Sequence, residues 1–163
     1  MRQKTGETAE QVSFRLAEAD DLPSIMQLLA DDPLGKYREQ AGGGDAAVPA
    51  QARAAFEAIA ADPRNHLIVM EADGGVEGCL QLTFIPGLTH KGRDRALIEG
   101  VRVSSRMRGR GLGTALVNHA VGLARERNCA LVQLTTDKRR EQAQAFYKSL
   151  GFAASHEGMK LWL

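Results

Sequence analysis

The chain is short of the residues that would staple a fold or hold a metal. Its two cysteines, Cys79 and Cys129, stand far apart with no Cys-x-x-Cys spacing. They read as reduced, mostly buried thiols of a cytosolic protein rather than as a disulfide framework. The four histidines, His66, His90, His119 and His156, show no His-x-x-x-His pairing, so no metal is expected. Neither sign of charge dominates: 21 lysines and arginines against 20 acids leave a net charge of +1. That argues against the broad basic face of a nucleic-acid binder. No apolar run approaches the ~20 residues of a membrane span, and the first residues lack the apolar core of a secretory signal. A cytoplasmic chain with neither nucleic-acid nor membrane partners is expected.

What remains is ordinary globular composition, 44% hydrophobic and 25% charged, in a chain long enough to bury a real core. Residues 1–11 read as a loose polar tail and residues 12–163 as one domain without internal repeats. Val12, Phe14 and Leu16 alternate as a first strand. Asp20 is expected to cap a helix that carries Leu22, Ile25, Met26, Leu28 and Leu29 on one stripe and stops at Asp31-Asp32-Pro33. Leu34–Val48, which contains Gly42-Gly43-Gly44, reads as a flexible loop, either a connector or a lid beside a substrate. A helix follows over Pro49–Ala61, with Phe56 and Ile59 inward. His66–Glu71 and Val76–Phe84 read as a hairpin turning at Gly74-Gly75, and Gly87–Arg95 as a basic, turn-rich loop.

The chain is organised around Ala96–Leu116. Ala96–Val103 has the apolar, partly β-branched residues of a strand; Arg108-Gly109-Arg110-Gly111-Leu112-Gly113 is a loop; from Leu112 the apolar spacing turns helical. Glycines let a backbone approach a ligand closely, and the unpaired N–H groups of the following helix start are anion donors. Arg102, Arg106, Arg108 and Arg110 fall here with no acid between Val101 and Arg110, a local positive cluster suited to a diphosphate. The loop is neither a P-loop, since no Gly-Lys-Ser/Thr occurs, nor a dinucleotide fingerprint, since its last glycine comes one place early. Beyond it are expected a helix ending near Arg127-Asn128, a strand over Ala130–Thr136, a helix over Glu141–Leu150 closed by Gly151, and a final hairpin of Phe152–Ser155 and Met159–Leu163. Trp162 is placed in the core; an edge strand in that hairpin leaves a homodimer open.

Arg108–Gly113 resembles, at every fixed position, the Arg/Gln-x-x-Gly-x-Gly/Ala signature of GCN5-related N-acetyltransferases. Phe146-Tyr147-Lys148-Ser149-Leu150-Gly151-Phe152 is similar to the Tyr-x-x-Leu-Gly-Phe close of the same family, at a matching distance from the loop. The resemblance covers Ala96–Phe152 and implies an α/β (α+β) fold. Its sheet would be mixed, mostly antiparallel and six- to seven-stranded, splayed between strands 4 and 5 and flanked by about four helices.

The resemblance further implies acetyl-CoA as cofactor, with its diphosphate on Arg108, Gly109, Arg110, Gly111, Leu112, Gly113 and Thr114 and its pantetheine along Val101, Arg102 and Val103. Tyr147 would protonate the departing sulfur, and Glu99 is the candidate base. In a regular strand Glu99 shares a face with Leu97, Val101 and Val103; a bulge would reverse that. Where many family members carry Asn seven residues before the tyrosine, this chain has Arg140, suited to the cofactor's phosphates. The implied reaction is acetyl transfer to the primary amine of a small molecule by direct attack in a ternary complex. A protein lysine or N-terminus as acceptor, or a regulatory acyl-CoA-binding module without turnover, are the alternatives.

Overall fold

The computed structural model describes residues 12–31 and 48–163. The expected tail over residues 1–11 and the Gly42–Gly44 loop lie outside the described residues. In chain order the elements are β1 (Ser13–Leu16), α1 (Leu22–Ala30), α2 (Ala50–Ala61), β2 (Asn65–Ala72), β3 (Gly75–Ile85), β4 (Arg95–Val103), α3 (Leu112–Glu126), β5 (Leu131–Leu134) and α4 (Glu141–Ser149). The sheet runs β1-β2-β3-β4-β5; the first three pairings are antiparallel and β4-β5 is parallel. The parallel pair is the one bridged by a crossover helix, α3, since a tight turn cannot join parallel strands.

Alternation along the strands splits the core into two layers. Ile68, Met70, Leu80, Leu82 and Ile98 pack with Leu116, Val117 and Ala120 of α3 on one face. Val69 and Cys79 pack with Ile25 and Leu28 of α1 on the other. Leu116 and Val117 are fully buried (0% exposed); each contributes about 1.5–3 kcal/mol relative to exposure. Cys79 is buried and Cys129 half-buried, both as free thiols.

The sheet bends at two bulges. Met70 pairs with Gly78 and Glu71 with Val76, which leaves Glu77 as an extra residue of β3. Cys79 pairs with Arg102 and Gln81 with Glu99, so Leu80 faces both Gly100 and Val101, with Gly100 at φ +60. This second bulge corrects the regular-strand reading of Glu99: Val101 and Val103 turn to the α3 side, where they pack on the core, while Glu99 stays with Gln81 on the α1 side.

Three further expectations change. The acid that organises the start of α1 is Asp21, not Asp20. It accepts the Glu18 N–H at 2.7 Å and a fork from Arg15 at 2.6 and 2.8 Å, and Arg15 also bonds Glu71 of β2 at 2.9 Å. Asp73 (φ +50) and Gly74 (φ +79), rather than Gly74-Gly75, make the β2-β3 turn, with Ala72 pairing Gly75. Among the described residues the sheet has five strands, not six or seven: Phe152–Ser155 and Met159–Leu163 form no ladder. Trp162 is accordingly 79% exposed, with Met159, Leu161 and Leu163 exposed around it, and not a core residue.

Candidate active site

Pairing between β4 and β5 stops where the glycine loop is about to begin. Arg95–Ile98 lie opposite Leu131–Leu134; from Glu99 onward β4 continues without β5 beside it. Val101, Arg102 and Val103 occupy this diverging stretch. The chain then makes a 3-10 turn over Ser105–Met107 and passes Arg108 into the loop. Gly109 and Gly111 both sit at φ +78, and Gly111 is the N-cap of α3. A Cβ at Gly111 would meet nothing within 4 Å, so what demands glycine is the left-handed backbone and not lack of room. That backbone turns the loop outward over the first turn of a 15-residue helix. Among the described residues no protein oxygen accepts a bond from the amides of Gly109, Gly111, Leu112 or Gly113, as an anion site at a helix start requires.

Beside these amides lies a cavity of about 280 Å³. Its apolar wall is Val103, Met107, Leu112 and Phe146, and its polar rim runs from Arg108 through Gly109, Gly111 and Gly113 to Thr114. Met107 is 3% exposed and holds the 3-10 turn down on the core. A Cβ on Gly113 would stand 3.5 Å from Phe146 Cζ, so the helix start and α4 face each other across the cavity. Free amides, a helix dipole and flanking guanidinium groups above an apolar wall fit a diphosphate with an apolar arm.

The arginine cluster is less bare than its sequence suggests, because acids distant along the chain meet it. Arg106 forks onto Glu77; Arg108 Nη2 stands 3.6 Å from Asp31 Oδ2, just past α1; Arg110 Nη1 stands 3.8 Å from Asp73 Oδ2 in the β2-β3 turn. The Arg108 and Arg110 contacts are long and exposed, the kind a stronger anion displaces at little cost.

Tyr147 is fixed by the end of its own helix. Gly151, at φ +91, donates to Lys148 O at 3.0 Å and Phe152 N–H donates to Tyr147 O at 3.1 Å. That double bond is the Schellman closure, and its usual apolar contact is the Phe152 ring edge-on to Tyr147 at 5.9 Å. Gly-Phe after the helix therefore orients the phenol. Burial pushes the Tyr147 phenol above its ordinary value, while Arg102 and Arg140 pull it partly back. One of these charges comes from β4 and the other from the N-cap of α4. Glu99 is exposed on the opposite, α1, face of β4, just past the last β5 pair.

Seven of the residues named from sequence (Val103, Arg108, Gly109, Gly111, Leu112, Gly113 and Thr114) line one cavity. Val101 and Tyr147 pack against the α3-side core, and Arg102 and Arg140 act on the Tyr147 phenol through their charge; Arg110 turns to Asp73 and Met107 Sδ; Glu99 stands apart on the far face. Met107, Phe146 and Glu77 were missed. An isolated methionine among arginines was the available signal for the first, and Phe146 lay inside a motif read only for its tyrosine. Nothing local marks Glu77.

The family profile described as the Acetyltransferase (GNAT) family matches residues 22–152. A solved structure from Bacillus halodurans C-125, described as a transcriptional regulator, is 46% identical, superposes with a TM-score of 0.88 and covers 94% of this chain and 100% of that one. Streptothricin acetyltransferase of Streptomyces lavendulae is 29% identical over 140 residues, 86% of this chain and 68% of the relative. An uncharacterized N-acetyltransferase of Methanocaldococcus jannaschii is 41% identical over 71 residues, 44% of this chain; the match spans only 31% of that protein's length. With the profile matching residues 22–152, most of its length, the chain belongs to the GNAT family of N-acetyltransferases.

Proposed function

We propose that this chain transfers the acetyl group of acetyl-CoA to the primary amine of a small molecule, by direct attack in a ternary complex. The observation that carries the reading is the cavity at the start of α3, where amides with no protein acceptor among the described residues face Val103, in the part of β4 that has left β5. The similarity to streptothricin acetyltransferase supports a small acceptor. When bound, acetyl-CoA supplies an activated thioester acyl group and a thiolate leaving group.

The chain's own residues divide the remaining work. The amides of Gly109 and Gly111–Thr114 receive the diphosphate, and Arg108 and Arg110 exchange Asp31 and Asp73 for its oxygens. The main chain of Val101–Val103, beyond the last β5 pair, offers donors to the carrier's arm and polarises the acyl carbonyl. Arg140, at the N-cap of α4, adds a further cation for the carrier's phosphates. The half-buried phenol of Tyr147 stays protonated at neutral pH and holds a proton for the departing sulfur. Glu99, exposed on the face away from α3, takes the proton of the acceptor ammonium, directly or through water.

The test is thiol release from acetyl-CoA across a panel of amino acids, polyamines, aminoglycosides and peptides, with Tyr147→Phe alongside wild type. The expected result is turnover on a small amine and a kcat loss of about 10²-fold or more in the variant. Full kcat in Tyr147→Phe removes the phenol from the mechanism. A regulatory reading is favoured by the description of the Bacillus halodurans protein. Calorimetric binding of coenzyme A with no turnover on any amine would establish it instead.

A further inference from the structure

Glu77 is a buried carboxylate (1% exposed) beneath a loop that collects cations. It is the extra residue of the β3 bulge, and it reaches the loop twice. Its main-chain carbonyl accepts the Ser104 N–H at 2.8 Å, and its carboxylate receives both Nε and Nη2 of Arg106. Between and beside these tethers runs the 3-10 turn whose third residue, Met107, is plugged into the core and lines the cavity. The next residues are Arg108 and Gly109. Without the bulge, the strand's alternation would have no residue to spare for this contact.

A buried charge with one charged partner is an expensive arrangement, and apolar substitutes at such places are often more stable. Its attachment to Arg106, three residues before Gly109, runs against simple electrostatics as well, since a carboxylate near that loop repels a diphosphate. We infer that Glu77 is a positioning residue for the phosphate loop. Through Ser104 and Arg106 it fixes the start of the segment that holds the Gly109–Gly113 amides in place, and it removes Arg106 from the set of phosphate ligands. The inference rests on the carrier-binding reading of the cavity given above.

The sign of one measurement separates the two roles. If Glu77 merely competed with phosphate for Arg106, Glu77→Gln would release a cation, delete a repelling charge and tighten coenzyme A binding. If Glu77 positions the loop, Glu77→Gln weakens it, by about 3- to 30-fold in Kd, with kcat at saturating carrier held near wild type. Calorimetry with coenzyme A reads the first quantity and steady-state kinetics the split between KM and kcat. Hydrogen exchange on the unliganded protein gives an independent reading. In Glu77→Gln the amides of residues 104–113 exchange faster, while those of β2 and the middle of α3 keep their protection. Arg106→Lys retains the charge without the fork and falls between wild type and Glu77→Gln; it serves also if Glu77→Gln fails to fold. Unchanged or tighter binding, or exchange accelerated uniformly through the core, overturns the inference. Absence of coenzyme A binding by wild type overturns the carrier reading instead, and the exchange data still decide whether Glu77 anchors the loop.

Discussion

Two glycines of the Arg108–Gly113 loop, two residues apart, should respond to alanine with opposite sign. Gly111 holds φ +78 with nothing within 4 Å of a Cβ position. Alanine there meets no clash but must adopt a left-handed backbone, at a cost of about 1–2 kcal/mol. Gly113 lies in the first turn of α3 outside the positive-φ region, and a Cβ would find ordinary contacts at 3.5 Å to Phe146 and 3.9 Å to Val103. Alanine there gains helix propensity, about 0.5 kcal/mol, the low end because it sits near a helix start. For a chain of this size each kcal/mol moves Tm by about 2–4 °C. Gly113→Ala should therefore melt about 1–2 °C higher and Gly111→Ala about 2–8 °C lower than wild type, a gap of roughly 3–10 °C between neighbours. Thermal unfolding by circular dichroism measures it. Coenzyme A titration adds a second axis: Gly113→Ala leaves the loop backbone alone and keeps its affinity, whereas Gly111→Ala displaces the amides and loses it. Shifts of the same sign, or a Gly113→Ala protein that melts lower, would refute the assignment of the two glycines to backbone sign and to cavity wall.

Acid should loosen the start of α1. Arg15, then the Glu18 N–H, holds the Asp21 carboxyl below its ordinary range against the opposing cost of burial. Because the folded pKa is depressed, the stability is present above the unfolded value and is lost as pH falls through the window beneath it, starting near pH ~4. Wild type and Asp21→Asn, compared by denaturant melts, should differ at pH 6 and converge toward pH 3; a constant difference removes the linkage. Trp162 is the one tryptophan in the chain, and it is 79% exposed. Its emission should lie at the wavelength of free indole and be quenched by acrylamide at close to the free rate, and blue-shifted, protected emission would show that another surface covers it.

What could be read from residues alone was what neighbours in sequence decide. The Gly111 turn, the α3 stripe of Leu112, Leu116 and Ala120, and the Tyr147–Phe152 closure are all local, and each stands where its spacing put it. The acids that meet the arginine cluster were illegible because Asp31, Asp73 and Glu77 come from the residue just past α1, a hairpin turn and a bulge, brought together by sheet order. A bulge has no composition of its own, so neither the face of Glu99 nor the inward turn of Glu77 could be counted from alternation. The final hairpin failed differently. Met159–Leu163 has the apolar content of a strand, but content alone cannot supply a partner edge, and in the structure the segment meets none among the described residues.

The four-residue ladder between Arg95–Ile98 and Leu131–Leu134 has a consequence for endurance as well as for access. Among the described residues it is the sheet's one seam to β5, so the segment from β5 onward, about a fifth of the chain, can swing away as a flap at less cost than melting the whole. A guest gripping both lips of that seam acts as a clasp, worth ~2.7 kcal/mol at a hundredfold excess over its Kd. On the proposed function that guest is the acyl donor, and survival against proteases is then expected to track its supply, with a donor-starved protein cleaved faster.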